Sequence, residues 1–316
     1  MTDLIITGQF KKPKNYLKTI NAIPEYRDAG IKNIIQVIWK NDQNNNLIVK
    51  AKKAGITFIK LEYPGDGFTS LYYQNYMLNG ALEQSKASYI LKSRADIFIH
   101  SWAISEIILN ATIPARDLSS RFWVPWFEPS KPFYLGDEVY FGHIDDVKSS
   151  CKLIFWDDMI DIIGAGHTHI RKYLPLFEGN NHLKKFYSNF GDLGFSSHER
   201  FVILQKNLQN EDYAKELLNY YDILENNFTI GLSSDFGIEF QPWNRKKLKL
   251  DPNSLFKRIY SFDPRRGQIF VQRNDAVDMH KKFVKESKTI KILHGRILNT
   301  LINNFFYYFF KKKQQK

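Results

Sequence analysis

Along the first part of the chain, apolar and polar positions form blocks whose period switches between that of strands and that of helices. Asp3–Phe10 is a β-rich apolar run. Tyr16–Ala29 reads as a helix, with Gly30 just past its end as a stop. Ile31–Trp39, rich in Ile and Val, predicts a buried strand. Leu47–Ala54 predicts a short helix closed by Gly55, and Ile56–Tyr63 a strand ended by Pro64 and Gly65. A helix over Leu71–Gln84 and a strand over Tyr89–His100 follow. Strands and helices in strict alternation, with short connections, predict an α/β fold with a mainly parallel central sheet and helices on both faces. In such a sheet, ligands bind beyond the carboxyl ends of the strands.

The pattern changes after that. Arg121–Phe127 and Phe133–Gly142 predict strands joined by a turn holding Pro129 and Pro132. Asp145–Cys151, Asp157–Ile163, Glu199–Gln209 and Glu211–Leu224 predict helices, so the second part should be largely helical. Gln268–Gln272 predicts one more strand. There are no internal repeats. The expected organisation is a catalytic domain over residues 1–280 and a tail over 281–316.

Composition sharpens this. Of 316 residues 43% are hydrophobic and 15% aromatic, enough for a packed core and against disorder. Cys151 is the one cysteine, so no disulfide can form within the chain, which suits a reducing compartment. No stretch reaches the roughly 18–20 apolar residues that span a bilayer, and the start of the chain has no signal-peptide pattern. A cytoplasmic protein is the expectation. The net charge of +12 is uneven: residues 281–316 hold ten basic residues and the acidic Glu286, a net +9, which leaves +3 for the rest. Such a tail seeks an anionic partner. It carries Ile292, Leu293, Ile297, Leu298, Leu301 and Ile302 at nearly helical spacing, then an aromatic run over 305–310 and Lys311–Lys313. An aromatic, lysine-flanked amphipathic helix suits the interface of an anionic membrane, here the inner face of the cytoplasmic membrane. Nucleic acid is not expected, because the body shows no nucleic-acid-binding motif.

The chemistry concentrates at the end of the Tyr89–His100 strand, where Lys92, Ser93, Arg94, Ala95 and Asp96 break an apolar run. Charges are costly in a core but suit the mouth of a parallel sheet. Lys92 and Arg94 could bind a diphosphate, Arg94 in bidentate fashion. Asp96 could hold Mg²⁺ or Mn²⁺. The alternative is an internal Arg94–Asp96 ion pair. Asp137 and Glu138 interrupt an aromatic run after Gly136 and could line a cleft, or form the polar face of an edge strand. His167 and His169 are spaced for a shared face of a strand, but no third ligand lies at a familiar spacing. Arg265 and Arg266 precede the last predicted strand and could close over a diphosphate, or form a solvated turn.

The segment Lys92–Asp96, followed by Phe133–Gly142, resembles the WavE lipopolysaccharide-synthesis family of bacterial glycosyltransferases. The flanking order is also similar: residues 6–9 (Ile6, Thr7, Gly8, Gln9), a strand ending at Trp39, then Tyr63, Pro64 and Gly65, then a helix with Gln74 and Gly80, and finally residues 196–201 around Glu199. The resemblance covers roughly residues 1–205. It implies a GT-A-like fold and transfer of a sugar from a nucleotide-sugar donor to a surface glycan such as lipopolysaccharide, lipooligosaccharide or capsule. It places Lys92, Arg94, Asp96, Gln74 and Arg200 on the donor diphosphate and Glu138 on the acceptor side. Glu199, or else Asp137, would be the catalytic base. Where such enzymes carry a first metal-binding carboxylate this chain has Arg94, so a divalent metal rests on Asp96 alone. The rival expectation is a non-catalytic glycan- or nucleic-acid-binding protein with a basic tail.

Overall fold

A computed structural model describes residues 1–10, 13–42, 46–65, 72–125, 135–152, 169, 222–230 and 238–239, and the backbone alone at 45, 70, 71, 240, 260–263 and 268–271. The helices expected over Asp157–Ile163 and Glu199–Gln209, most of that over Glu211–Leu224, and the tail from 281 lie outside these residues.

The predicted alternation is present. β1 (Thr2–Thr7), α1 (Pro13–Asn21), α2 (Ile23–Asp28), β2 (Ile31–Trp39), α3 (Asn45–Lys53), β3 (Thr57–Leu61), α4 (Ser70–Leu82) and β4 (Tyr89–Arg94) follow in order. Then come β5 (Ile97–Ile99), α5 (Ser101–Ile108), β6 (Phe122–Val124), β7 (Tyr140–His143), α6 (Ile144–Ser150), β8 (Phe228–Ile230), β9 (Ile238–Phe240), β10 (Tyr260–Asp263) and β11 (Gln268–Val271). The main sheet has seven strands in the order β3-β2-β1-β4-β7-β6-β8. β3, β2, β1 and β4 are parallel, as are β6 and β8, and β7 alone runs against its neighbours β4 and β6.

Strand alternation divides the core into two layers. Leu4, Ile6, Ile34, Ile38 and Leu91 pack with residues of α1, α2, α3 and α5, among them Tyr16, Tyr26, Ala51 and Ile104. The opposite face of the sheet takes α4, which touches β1, β2 and β3 and carries the buried Met77, Leu78, Ala81 and Leu82. Gly30 and Gly55 stop α2 and α3 with φ of 103° and 93°, a region costly for residues with a Cβ, as their sequence positions suggested.

Three elements depart from expectation. The Tyr16–Ala29 helix is two helices, because Pro24 lacks the N–H that a continuous helix needs and sits instead in the first turn of α2. The aromatic strand is cut to Tyr140–His143, which leaves Asp137 and Glu138 in the loop before it. The Tyr89–His100 strand breaks at Ala95 and Asp96: β4 stays in the main sheet, and β5 pairs antiparallel with β9. Asp96 folds back onto Arg94 at the break, and Asn15 of α1 donates to the Asp96 carbonyl at 3.1 Å. α5, β8, β9 and β10 have no counterpart among the expected elements, so the part expected to be largely helical holds strands among the described residues.

Candidate active site

The strand order fixes where a ligand can enter. From β1 the chain builds outward to β2 and β3, then α4 crosses the opposite face and returns to β4 on the other side of β1. A crevice opens at such a reversal, beyond the carboxyl ends of β1 and β4. Gln74, Lys92, Arg94, Asp96, Asp137 and Glu138 converge there, joined by hydrogen bonds and mutual electrostatic influence.

They occupy two different environments. At the rim, Arg94 grips Asp96 with both forks of its guanidinium, Nε to Oδ1 at 2.9 Å and an Nη to Oδ2 at 2.6 Å. The side chains are 37% and 18% exposed. Burial works against the Arg94 charge, yet the hydrogen bonds and charge of Asp96, with Glu138 and Asp137 behind it, raise its pKa above the usual value. The internal pair considered from the sequence is thus the arrangement found.

Two residues back on the same strand, Lys92 lies inside, with 1% of its surface exposed. Its ammonium is turned toward α4 and the loop before β7. Nζ donates to Gln74 Oε1 at 3.0 Å, to the Asp137 carbonyl, and to the Glu138 carbonyl at 3.4 Å. It also lies 5.3 Å from the centre of the Tyr140 ring, its neighbour on β7. Burial lowers the Lys92 pKa to about 8, against the pull of Asp137. Gln74, from α4, completes the knot by donating Nε2 to Asp137 Oδ2 at 2.9 Å. Both ends of its amide are therefore engaged, and Asp137 is 7% exposed.

A buried wall backs the knot. His169 Nε2 meets the Gly136 carbonyl at 3.0 Å, and its ring lies edge-on to Tyr140 at 4.4 Å and near Phe122 at 5.0 Å. Burial pushes the imidazole pKa down to about 3, with the Lys92 charge acting the same way, so the ring is neutral. His167 lies outside the described residues. Among the described residues no group of three His, Cys, Asp or Glu could hold a metal ion. A cation at Asp96 would have to take that carboxylate from Arg94. Glu199, Arg200, Arg265 and Arg266 also lie outside the described residues.

Two further features at this edge were not read from the sequence. Trp39 at the end of β2, Tyr63 after β3 and Tyr72, Tyr73 and Tyr76 of α4 make an aromatic cluster. Within it Tyr63 and Tyr73 stack at 5.6 Å and 8°. The signal was available, since each aromatic sits just past a strand or in the first turns of the next helix. Asn15 is the second: fully buried in α1, it ties the Asp96 carbonyl to that of Glu239 on β9. Glu239 in turn pairs with Lys18 at 2.6 Å and His100 at 3.2 Å. Nothing local marked Asn15, whose partners lie far along the chain.

No protein-family profile matches the chain, and no curated protein matches it in sequence. Solved structures that resemble it include glucosyl-3-phosphoglycerate synthase from Mycobacterium tuberculosis, crystallised with Mn²⁺, uridine diphosphate and phosphoglyceric acid, at 10% identity and TM-score 0.39 over 57% of this chain and 65% of that one. HddC from Yersinia pseudotuberculosis is 12% identical, with TM-score 0.33 over 51% of this chain and 85% of that one. A mycobacterial protein is 10% identical, with TM-score 0.35 over 47% and 55%. The chain thus spans less than two thirds of the length of the synthase and of the mycobacterial protein, and at these scores the likeness carries no functional argument of its own.

Proposed function

We propose that this protein is a nucleotide-sugar-dependent glycosyltransferase with its donor site at the carboxyl ends of β1 and β4. One observation carries the reading: a partly buried bidentate Arg94–Asp96 pair stands beyond the carboxyl ends of the strands, where the strand order reverses. More than a third of the Arg94 side chain is in solvent, so a ligand can reach it. A diphosphate, with more charge and the same fork geometry, can replace Asp96 on Arg94. The guanidinium then stabilises the charge that builds on the departing nucleoside diphosphate. The single reversed strand beside β4 fits the GT-A-like layout, and the aromatics at the ends of β2 and β3 offer ring faces beside the charges. A divalent metal would supply further charge at Asp96 once that carboxylate leaves Arg94. Glu199 is our choice of base, because Asp137 is buried and tied to Gln74.

The finer reading rests on the resemblance to the WavE family: the acceptor is a bacterial surface glycan, and the chain works at the inner face of the cytoplasmic membrane. The tail's +9 charge supports membrane docking, at about 1 kcal/mol for each Lys or Arg near an anionic surface. A thermal-shift screen of nucleoside diphosphates and nucleotide sugars, with and without Mn²⁺, tests the transferase reading. A ligand at 100 times its Kd stabilises the fold by about 2.7 kcal/mol, so a rise in Tm is expected. If no nucleotide moves Tm, the protein is a binding module or scaffold instead. Vesicle sedimentation tests the tail: the chain should bind anionic vesicles at low salt, and a chain ending at residue 280 should not.

A further inference from the structure

We infer that Lys92 is a positioning residue, whose buried ammonium fixes the 135–139 loop and, through Gln74, the Asp137 carboxylate against the end of β4. The inference rests on the transferase reading for its consequence, but its geometry is independent of that reading. The three parts come from three elements: Lys92 from β4, Gln74 from α4, and Asp137 with Glu138 from the loop before β7. They meet through one nitrogen, which takes two loop carbonyls and one side-chain amide. The same amide holds Asp137 Oδ2, so moving the ammonium would release both the loop's backbone and its carboxylate.

Stability does not explain a lysine at this position. A buried charge is costly, and apolar residues of similar volume often replace one without loss. The lowered pKa of Lys92 expresses that cost. What the ammonium provides is geometry: three donors that the neighbouring Tyr140, Phe122 and neutral His169 rings do not supply to the loop carbonyls. The loop it pins borders the rim, where Arg94 feels the charges of Glu138 and Asp137. The charged and titratable groups around Lys92 are Asp137 and Glu138 on the loop, Arg94 and Asp96 at the end of β4, Tyr140 on β7, and His169; α4 offers the neutral Gln74.

The test compares wild-type protein with Lys92→Met and, should that variant not fold, with Gln74→Leu, which cuts the bridge to Asp137 and leaves Lys92 on the loop carbonyls. Amide hydrogen exchange over residues 135–139 should speed up by about tenfold or more in Lys92→Met, because the loop loses its anchor, and by about threefold in Gln74→Leu, which frees only the Asp137 carboxylate. Unchanged exchange there overturns the inference. With a donor identified by the thermal-shift screen, kcat should fall by roughly ten- to hundredfold at unchanged donor KM, the loss expected of misplaced groups. A raised donor KM at unchanged kcat would make Lys92 a donor ligand and overturn the inference. In the wild type, kcat should also decline above about pH 8 as Lys92 loses its proton, and Lys92→Met should lack that limb. The same limb in both proteins overturns it. If the wild type responds to no nucleotide, the transferase reading fails, while the exchange measurement still decides the role of Lys92.

Discussion

Lys92 and Arg94 stand two residues apart on one strand and point to the same face of the sheet, yet they do opposite work. Lys92 is closed in by α4, the 135–139 loop and Tyr140, and all its observed partners belong to the protein. Arg94 lies one turn of the pleat nearer the open end, more than a third of its side chain is in solvent, and its partner is Asp96, two residues along the chain. The difference is one of dielectric surroundings. An ammonium deep inside must have its donors satisfied by the protein around it. A guanidinium at the rim keeps part of its head in solvent. Two cations that look alike in a motif thus divide into a buried one and a partly exposed one.

The sharpest test of this contrast is the pH dependence of stability. The folded pKa of Lys92, about 8, lies below the ordinary value of 10.5, so between them the unfolded chain binds more protons. Stability from this group therefore rises as pH climbs from about 8 to about 10.5, on the order of a few kcal/mol for a shift of this size. Urea unfolding of wild type and Lys92→Met across that range should show the difference moving in favour of the wild type. Arg94→Ala should show no such movement, and a parallel change in both variants would erase the distinction between brace and rim.

Next in size is Gly142→Ala. A Cβ at Gly142 would lie 2.5 Å from two carbons of the Phe122 ring, which is itself packed on Tyr140 and His169 behind the knot. Forcing that ring aside should cost about 3 kcal/mol in unfolding free energy. Gln74→Leu should cost about 1–3 kcal/mol, because it leaves Asp137 Oδ2 and one Lys92 donor without their partner. A change in stability of about 1–2 kcal/mol belongs to Arg94→Ala, whose pair with Asp96 is only partly buried. That variant should nonetheless weaken nucleoside diphosphate binding by roughly tenfold in calorimetric titration, the worth of a charge-assisted contact. If Arg94→Ala unfolds the protein as readily as Gln74→Leu while binding is kept, the roles assigned to the two regions are reversed.

Much of the frame was legible. Ile31–Trp39 is observed with the bounds its pattern gave, because a β-branched run between two glycine- and polar-rich breaks leaves little alternative. The turn at Gly55 and the helix before it were legible for the same local reason. The β4–β5 break was not. Arg94 and Asp96 read as a charged strand end, and what ends the strand is their mutual grip together with Asn15, a residue 81 positions away from Asp96. The helix pair around Pro24 could have been read, since the proline itself marks the break.

By itself, then, the sequence determined the alternation of strands and helices, the largely parallel sheet that follows, and the strand end at which charged residues gather. These depend on periodicity and on turn residues, which act over a few positions. It could not determine which of those charges would be buried. That was decided where α4 and the loop before β7 close over β4, at sequence separations of 18, 45 and 63 residues between the groups that meet. Whether a charge is braced or offered depends on burial, and burial belongs to the assembled layers rather than to any stretch of chain.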